Sequence, residues 1–219
     1  MNRVGNDIVD LTDPRSKGRS LDTRFIDRVF TLQEQEQIVN GGFPDVLVWS
    51  LWAGKETAYK ILRKVHGNVT AAPRRYEVKM GTSEDDCDDN RSCISGVVKT
   101  PYDTVFIRIF TEADYIHCIG VTGTEELMRS VIWGMHKREL REGEEDIYSP
   151  DTASVEIRKM ATKEIATYFQ EDIKNIAILR FKGSHGLGPP KVYIRGKEAI
   201  LDISLSHDGQ FLSYAFMPV

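Results

Sequence analysis

Residues 45–66 read DVLVWSLWAGKETAYKILRKVH, and the fold turns on this stretch. Leu47, Leu51, Ala58, Leu62 and Val65 recur at spacings that line one face of a helix. Asn40-Gly41-Gly42 and Pro44 punctuate the chain before it, and Gly67-Asn68 stops it. The spacing predicts one long helix whose apolar face needs a partner layer. Upstream, Thr31-Leu32-Gln33-Glu34 has the spacing of a capping box and predicts a shorter helix start. Before that, residues 4–11 (VGNDIVDL) form a β-branched run suited to a strand. Downstream, 76–80, 95–99, 105–110 and 115–121 read as strands, with Thr100-Pro101-Tyr102-Asp103 as a turn. Helical patterns return over 125–142 and 154–171. Four strand patterns close the chain, over 175–181, 191–195, 200–206 and 210–217, with Asp208-Gly209 as a hairpin turn. Helices and mostly antiparallel strands are mixed without regular alternation, which makes the class α+β.

Composition narrows the function classes. The 219 residues are 41% hydrophobic and 28% charged, an ordinary globular balance with room for a substantial core. No apolar run is long enough for a spanning helix, and MNRVGNDIVDLTDP lacks the apolar segment of a signal peptide. Membrane insertion and secretion are therefore not expected. Cys87, Cys93 and Cys118 lack metal-type spacing, which argues for reduced thiols and a cytoplasmic setting. A net charge of −4 disfavours a nucleic-acid partner. The charge is uneven, however. Arg15, Lys17, Arg19, Arg24 and Arg28 cluster near the front, and an acidic tract over 83–90 reads as a solvated loop. The basic cluster is either an exposed loop or a docking surface for an acidic partner.

Three groups of residues carry chemistry. Asp7 lies on the same strand face as Gly5, Val9 and Leu11, while Asp10 points the other way with Ile8. A carboxylate on an apolar face needs a cation or a donor, whether for structure or for chemistry. Trp52, Glu56 and Lys60 stack at i, i+4 and i+8 on the long helix. Glu before Lys at four residues is also an ordinary stabilising pair. Combined with Asp7, Glu56 would complete a pair of hard oxygen ligands of the kind Mg²⁺ prefers, with Lys60 a turn away to meet a phosphate. Ser206, His207 and Asp208 are consecutive and so cannot form a hydrolase relay; a polar strand end suits anion binding or a plain turn. His117, between Ile116 and Cys118, reads as a packed structural residue.

As a set, these motifs resemble those of the 4'-phosphopantetheinyl transferase superfamily. VGNDIVDL resembles its G-x-D-I-V-[ED] strand, and Arg28-Val-Phe-Thr31-x-x-Glu34 resembles its R-[IV]-[LF]-T-x-x-E segment. Trp52–Lys60 resembles the [FW]-x-x-K-E-[AS]-x-x-K helix. Gly188-Pro-Pro190, followed by Leu201-Asp-Ile-Ser-Leu-Ser-His207-Asp-Gly209, resembles its G-x-P…S-[IL]-S-H segment. The motif order is that of the short holo-acyl-carrier-protein synthases, which associate as trimers. The fold implied is a long helix packed on an antiparallel sheet. The resemblance implies Asp7 and Glu56 as Mg²⁺ ligands, Lys60 at the diphosphate, and Lys55 as the motif lysine binding coenzyme A. It further implies Ser206, His207, Gly188 and Pro190 as coenzyme A contacts, with His207 of one chain serving the neighbour's Asp7 and Glu56 in a trimer. The activity implied is Mg²⁺-dependent transfer of 4'-phosphopantetheine from coenzyme A to a serine of an apo acyl or peptidyl carrier protein, releasing adenosine 3',5'-bisphosphate. In this reading the Arg15 to Arg28 cluster becomes the docking surface for the carrier.

The sequence departs from the pattern in places. Val9 stands where longer family members have a second acidic ligand, Leu51 where the short type often has arginine, and Asp10 replaces the commoner glutamate. The motif spacing predicts a split catalytic unit, 1–67 with 175–219, interrupted by an insert over 68–174. Two alternatives stand beside the transferase: a non-catalytic binder of coenzyme A or another diphosphate, and a scaffold in which the insert is the functional part.

Overall fold

The computed structural model describes residues 2–67, 69–88, 91–138, 150–183 and 186–219. Its first half is a five-stranded antiparallel sheet with a long helix on one face. The strands are β1 (Val4–Asp10), β2 (Glu77–Asp88), β3 (Arg91–Lys99), β4 (Thr104–Thr111) and β5 (Tyr115–Val121), in the order β1-β5-β4-β3-β2. Helices α1 (Thr23–Val29), α2 (Leu32–Asn40) and α3 (Pro44–His66) intervene between β1 and β2. Helix α3 spans the predicted segment, with Pro44 in its first turn, where the missing N–H costs nothing. Its buried residues Val48, Leu51, Ala58, Ile61 and Leu62 share a core with Ile107, Ile109, Ile116 and Cys118 of the sheet. The capping box forms as read: Thr31 and Glu34 each accept the other's backbone N–H at the start of α2.

Gly5 fixes how closely α3 approaches β1. A Cβ there would lie 2.6 Å from the Thr57 carbonyl and 2.8 Å from Ile61. Only glycine lets helix and strand meet at this point, two residues before Asp7 and one turn before Lys60.

The second half mirrors that arrangement with a smaller sheet. Its elements are β6 (Ile132–Lys137), α4 (Pro150–Phe169), β7 (Ile176–Leu179), β8 (Lys182–Gly183), β9 (Gly186–Leu187), β10 (Lys191–Ile194), β11 (Lys197–Glu198), β12 (Leu201–Asp208) and β13 (Phe211–Pro218). Strands β12, β13 and β6 form one antiparallel sheet, and β11, β10 and β7 another. Ala161 and Ile165 of α4 pack on Ile203, Tyr214 and Phe216. The opposite residues of β13, Ala215 and Met217, pack on Val4, Ile119 and Val121 of the first sheet. The layers therefore run α3, first sheet, second sheet, α4.

Several expectations change. The pattern over 125–142 forms a 3-10 turn (Glu125–Ser130) and then the strand β6, with Ile132 to Lys137 paired to β13 and residues 139–142 outside the described residues. Tertiary packing overrides the local pattern: Trp133 inserts between the sheets against Phe110 and His117. The acidic tract is not a loop up to Asp88 but continues β2 opposite β3; residues 89–90 lie outside the described residues. The hairpin turn sits one residue later than read, at Gly209-Gln210, with Asp208 paired to Phe211 and Gly209 at φ +49. Cys93 is disulfide-bonded, against the expectation of reduced cysteines, while Cys118 is free and buried. The segment 68–174 is not set apart from the motif-bearing parts. It supplies β2 to β5 of β1's own sheet, and β6 and α4 of the layer around β12. Among the described residues no helix is long and apolar enough to cross a membrane.

Candidate active site

Asp7 faces α3 from β1, and Lys60 meets it. The ammonium lies 2.7 Å from Asp7 Oδ1 and also donates to the Asn6 carbonyl and Ser206 Oγ, each at 2.9 Å. Those three bonds use all three donors of the lysine. Ser206 donates to the same Asp7 oxygen at 2.9 Å and accepts the Ile8 N–H at 3.3 Å. The predicted Asp7, Lys60 and Ser206 thus form one closed polar cluster within a single chain. Lys60 is oriented by Asp7 rather than by Glu56, its helical neighbour at four residues.

Glu56 lies one turn earlier on the same face. Its side chain accepts no hydrogen bond among the described residues, and its pKa is raised to about 7. Burial is the main cause and the Asp7 charge adds to it, with Lys60 opposing. His207 is held below its usual value by burial and by the cations Lys60, Arg138 and Arg158. Glu56 and His207 stand at the junction of two cavities and line both.

The first cavity, about 240 Å³, is strongly cationic. Lys60, Arg63, Lys64, Arg158 and Arg180 face it, with Pro190 at its rim. Among the described residues Arg63, Arg158 and Arg180 have no ion-pair partner, and the Arg180 guanidinium is pushed down by burial and by those two neighbours. Converging cations without a counter-charge make a site for a polyanion. Ser154 braces Arg158 through its carbonyl and hydroxyl, both at 2.6 Å. Arg180 donates to the Gly188 carbonyl at 2.7 Å, so the predicted Gly188 acts by holding this arginine through its backbone. Arg63, Arg158 and Arg180 were not singled out from sequence. Arg63 carries a usable signal, one turn after Tyr59 on the Glu56 helix; the other two belong to no motif.

The second cavity, about 430 Å³, has a different character. Asp7, Asp13 and Asp208 line one wall, and Phe25, Trp49 and Trp52 another, with Arg15 and Arg19 at the side. Asp208 is raised by burial and by Asp7, Asp10 and Asp13. The basic segment borders this cavity. Asp45 holds it on α3 by accepting the Gly18 N–H at 2.7 Å and the Ser20 N–H at 2.8 Å, and Trp49 donates to the Ser16 carbonyl at 2.7 Å. Arg15 pairs with Asp13 and Arg19 with Asp22, whereas Lys17, Arg24 and Arg28 are exposed.

One expected ligand contact points elsewhere. Lys55 is wholly buried, 2.8 Å from Glu34 Oε2, and also donates to the Pro73 and Tyr76 carbonyls. It faces the α2–β2 side of α3, away from both cavities, so the structure gives it no ligand to bind. Leu51, which stands where the short type often has arginine, is fully buried in the core. His207 and Glu56 of the same chain line both cavities.

Mg²⁺ fits the carboxylates that are present. Asp7 and Glu56 are hard oxygen donors that repel one another, and among the described residues no group of three or more His, Cys, Asp or Glu could hold a metal. Two protein ligands suit an ion that keeps waters and substrate phosphates in its shell.

No curated protein matches the chain. The family model of the 4'-phosphopantetheinyl transferase superfamily matches residues 3–78, from the Asp7 strand through the Glu56 helix to the start of β2. This supports a phosphopantetheine transferase in general and bears out the superfamily that the motifs resemble.

Proposed function

We propose that the protein transfers 4'-phosphopantetheine from coenzyme A to a serine of an apo carrier protein, releasing adenosine 3',5'-bisphosphate. One observation carries the reading: Glu56 lines both a cationic cavity and a second, larger one, and Asp7 lines the second. The cationic cavity suits the phosphates of coenzyme A, with Arg63, Arg158 and Arg180 supplying charge that has no ion-pair partner among the described residues. The second cavity suits the incoming serine.

Asp7 and Glu56 would hold Mg²⁺, which when bound neutralises diphosphate charge. Lys60 keeps Asp7 oriented and places a positive charge at the cationic cavity. The serine oxygen forms a bond to the β-phosphorus as the bond to the leaving bisphosphate breaks. The serine proton passes to Glu56 or to a water that Glu56 holds. His207 stays largely neutral and offers a hydrogen bond at the junction rather than a fixed charge. Positioning and electrostatics supply most of the catalysis in such phosphoryl transfers.

The carrier docks on the basic segment, where Lys17, Leu21, Arg24 and Arg28 are all exposed. Carrier proteins are acidic, so complementary charge steers the encounter. The test is incubation with coenzyme A, Mg²⁺ and apo carrier proteins, followed by intact mass. The expected result is a gain of one phosphopantetheine, lost in Asp7→Ala and Glu56→Ala. Absence of any gain across several carriers, or full activity in either variant, would overturn the reading.

A further inference from the structure

Strand β1 has two edges, and among the described residues only one is paired with another strand, β5. On the other edge its backbone is satisfied by side chains. The N–H groups of Val4, Asn6, Ile8 and Asp10 donate to Asp202 Oδ2, Ser204 Oγ, Ser206 Oγ and Asp208 Oδ2 at 2.8, 3.0, 3.3 and 2.9 Å. Each acceptor stands 198 residues beyond its donor. Carbonyls on this strand are capped as well: Val4 by Lys64 at 2.6 Å, Asn6 by Lys60 at 2.9 Å and Asp10 by Ser16 at 2.7 Å. Lys64 also binds Asp202 Oδ2 at 2.8 Å, which ties helix, β1 and β12 together.

The spacings explain why this works. Alternate residues of a strand lie about 6.6 Å apart, so side chains at every second position of β12 match every second N–H of β1. Two lysines one helical turn apart climb about 6 Å and meet carbonyls two residues apart. The pattern also selects one register. A one-residue slip turns the acceptors to the wrong face. A two-residue slip one way brings Asp208 to the Asp7 carboxylate in place of Ser206; the other way it sets Ile200 against the Val4 N–H.

We propose that this side-chain seam registers β12 against β1, making Asp202, Ser204, Asp208 and Lys64 positioning residues for the transfer reaction. The proposal rests on the functional reading above. Because Ser204 and Lys64 also line the cationic cavity, loosening the seam weakens coenzyme A binding before it unfolds either half.

The test compares full-length Ser204→Ala, Asp202→Ala and Asp202→Asn with Ser213→Ala. Ser213 Oγ accepts from Asn6 Nδ2 at 2.7 Å across the same junction and is equally buried, but serves no β1 backbone N–H. Thermal midpoint, exchange of the Val4 and Asn6 amide protons, and KM and kcat for coenzyme A are measured. Ser204→Ala is expected to speed exchange at Asn6 and raise KM about fivefold, the worth of one net hydrogen bond, with a smaller change in kcat. Asp202→Ala does the same at Val4, and Asp202→Asn, which keeps an oxygen acceptor, recovers most of the loss. Ser213→Ala lowers the thermal midpoint without raising KM. Unchanged exchange and KM in Ser204→Ala, or an equal rise in KM in Ser213→Ala, would overturn the proposal. If the wild-type protein transfers nothing to any carrier, the functional reading fails, and amide exchange alone then decides whether the seam sets the register.

Discussion

The ammonium of Lys55 lies 2.8 Å from Oε2 of Glu34, with neither side chain exposed to solvent. Three elements meet at this pair. Glu34 closes the α2 capping box and accepts the Val78 N–H of β2 at 2.8 Å, while Lys55 comes from the middle of α3. Burial pulls the Lys55 pKa down and Glu34 opposes it. Removing one partner leaves the other buried and unpaired, at a cost of about 3–5 kcal/mol. Lys55→Ala should therefore lower the denaturant midpoint sharply, and Lys55→Met less so, because an apolar chain fills the space. Coenzyme A affinity of the folded fraction should stay unchanged, as measured by calorimetry below the unfolding transition. A specific loss of affinity in a stable Lys55→Met would restore the lysine to the binding site.

Glu56 gives a prediction with a definite sign. Its pKa is about 7 in the folded chain against an ordinary 4.5. Between those values the folded state binds more protons than the unfolded one, so this residue's contribution to stability falls as pH rises from 4.5 through 7. Glu56→Gln removes the charge, so without metal the variant should melt higher than wild type at pH 8, with the gap closing toward pH 5. Mg²⁺ should raise the wild-type midpoint at pH 8 and leave the variant nearly unmoved. Activity of the variant should be lost throughout. A variant less stable than wild type at pH 8 would show that Glu56 is satisfied in the metal-free protein.

How much of this was legible in sequence depends on where the signal is local. The α3 boundaries, the Thr31–Glu34 cap and the faces of β1 follow from periodicity and spacing within one element, and the structure reproduces them. The roles of Lys55 and Lys60 were not legible, because both stand on one helix and only tertiary packing sends Lys55 to Glu34 and Lys60 to Asp7. β6 was misread as helix because its pairing with β13 lies about 80 residues away in sequence. The alternation Asp202, Ser204, Ser206, Asp208 was visible, yet alternating polar residues on a strand usually mean a solvated face. Here the face is covered by β1.

Arg158 and Arg180 carry the clearest test of the cationic cavity. They come from α4 and from the segment after β7, outside the residues matched by the family model. Each crowds other cations with no ion-pair partner among the described residues, so removing one should leave the ligand-free protein as stable as before or slightly more so. Binding should suffer instead. Arg158→Ala and Arg180→Ala should each raise KM for coenzyme A about tenfold, roughly 1.4 kcal/mol, with little change in kcat. Stopped assays over a range of coenzyme A concentrations at constant ionic strength separate the two parameters. A fall in kcat at unchanged KM would place these arginines at the reacting phosphorus rather than along the bound anion.

The Asp7–Lys60–Ser206 cluster, formed within one chain, leads to a complementation test. In a shared-site oligomer, mixing an Asp7→Ala chain with a His207→Ala chain regenerates some intact sites, each built from the unmutated residue of either partner. Here Ser206 bonds to Asp7 at 2.9 Å in the same chain, and the β1–β12 seam fixes His207 beside it. Every site in the mixture would therefore keep one lesion. Co-expressed Asp7→Ala and His207→Ala should show no activity above the sum of the two alone, and light scattering of the wild type should give a catalytically competent monomer. Recovery toward a quarter of wild-type activity, together with a trimeric mass, would show that β12 crosses between protomers.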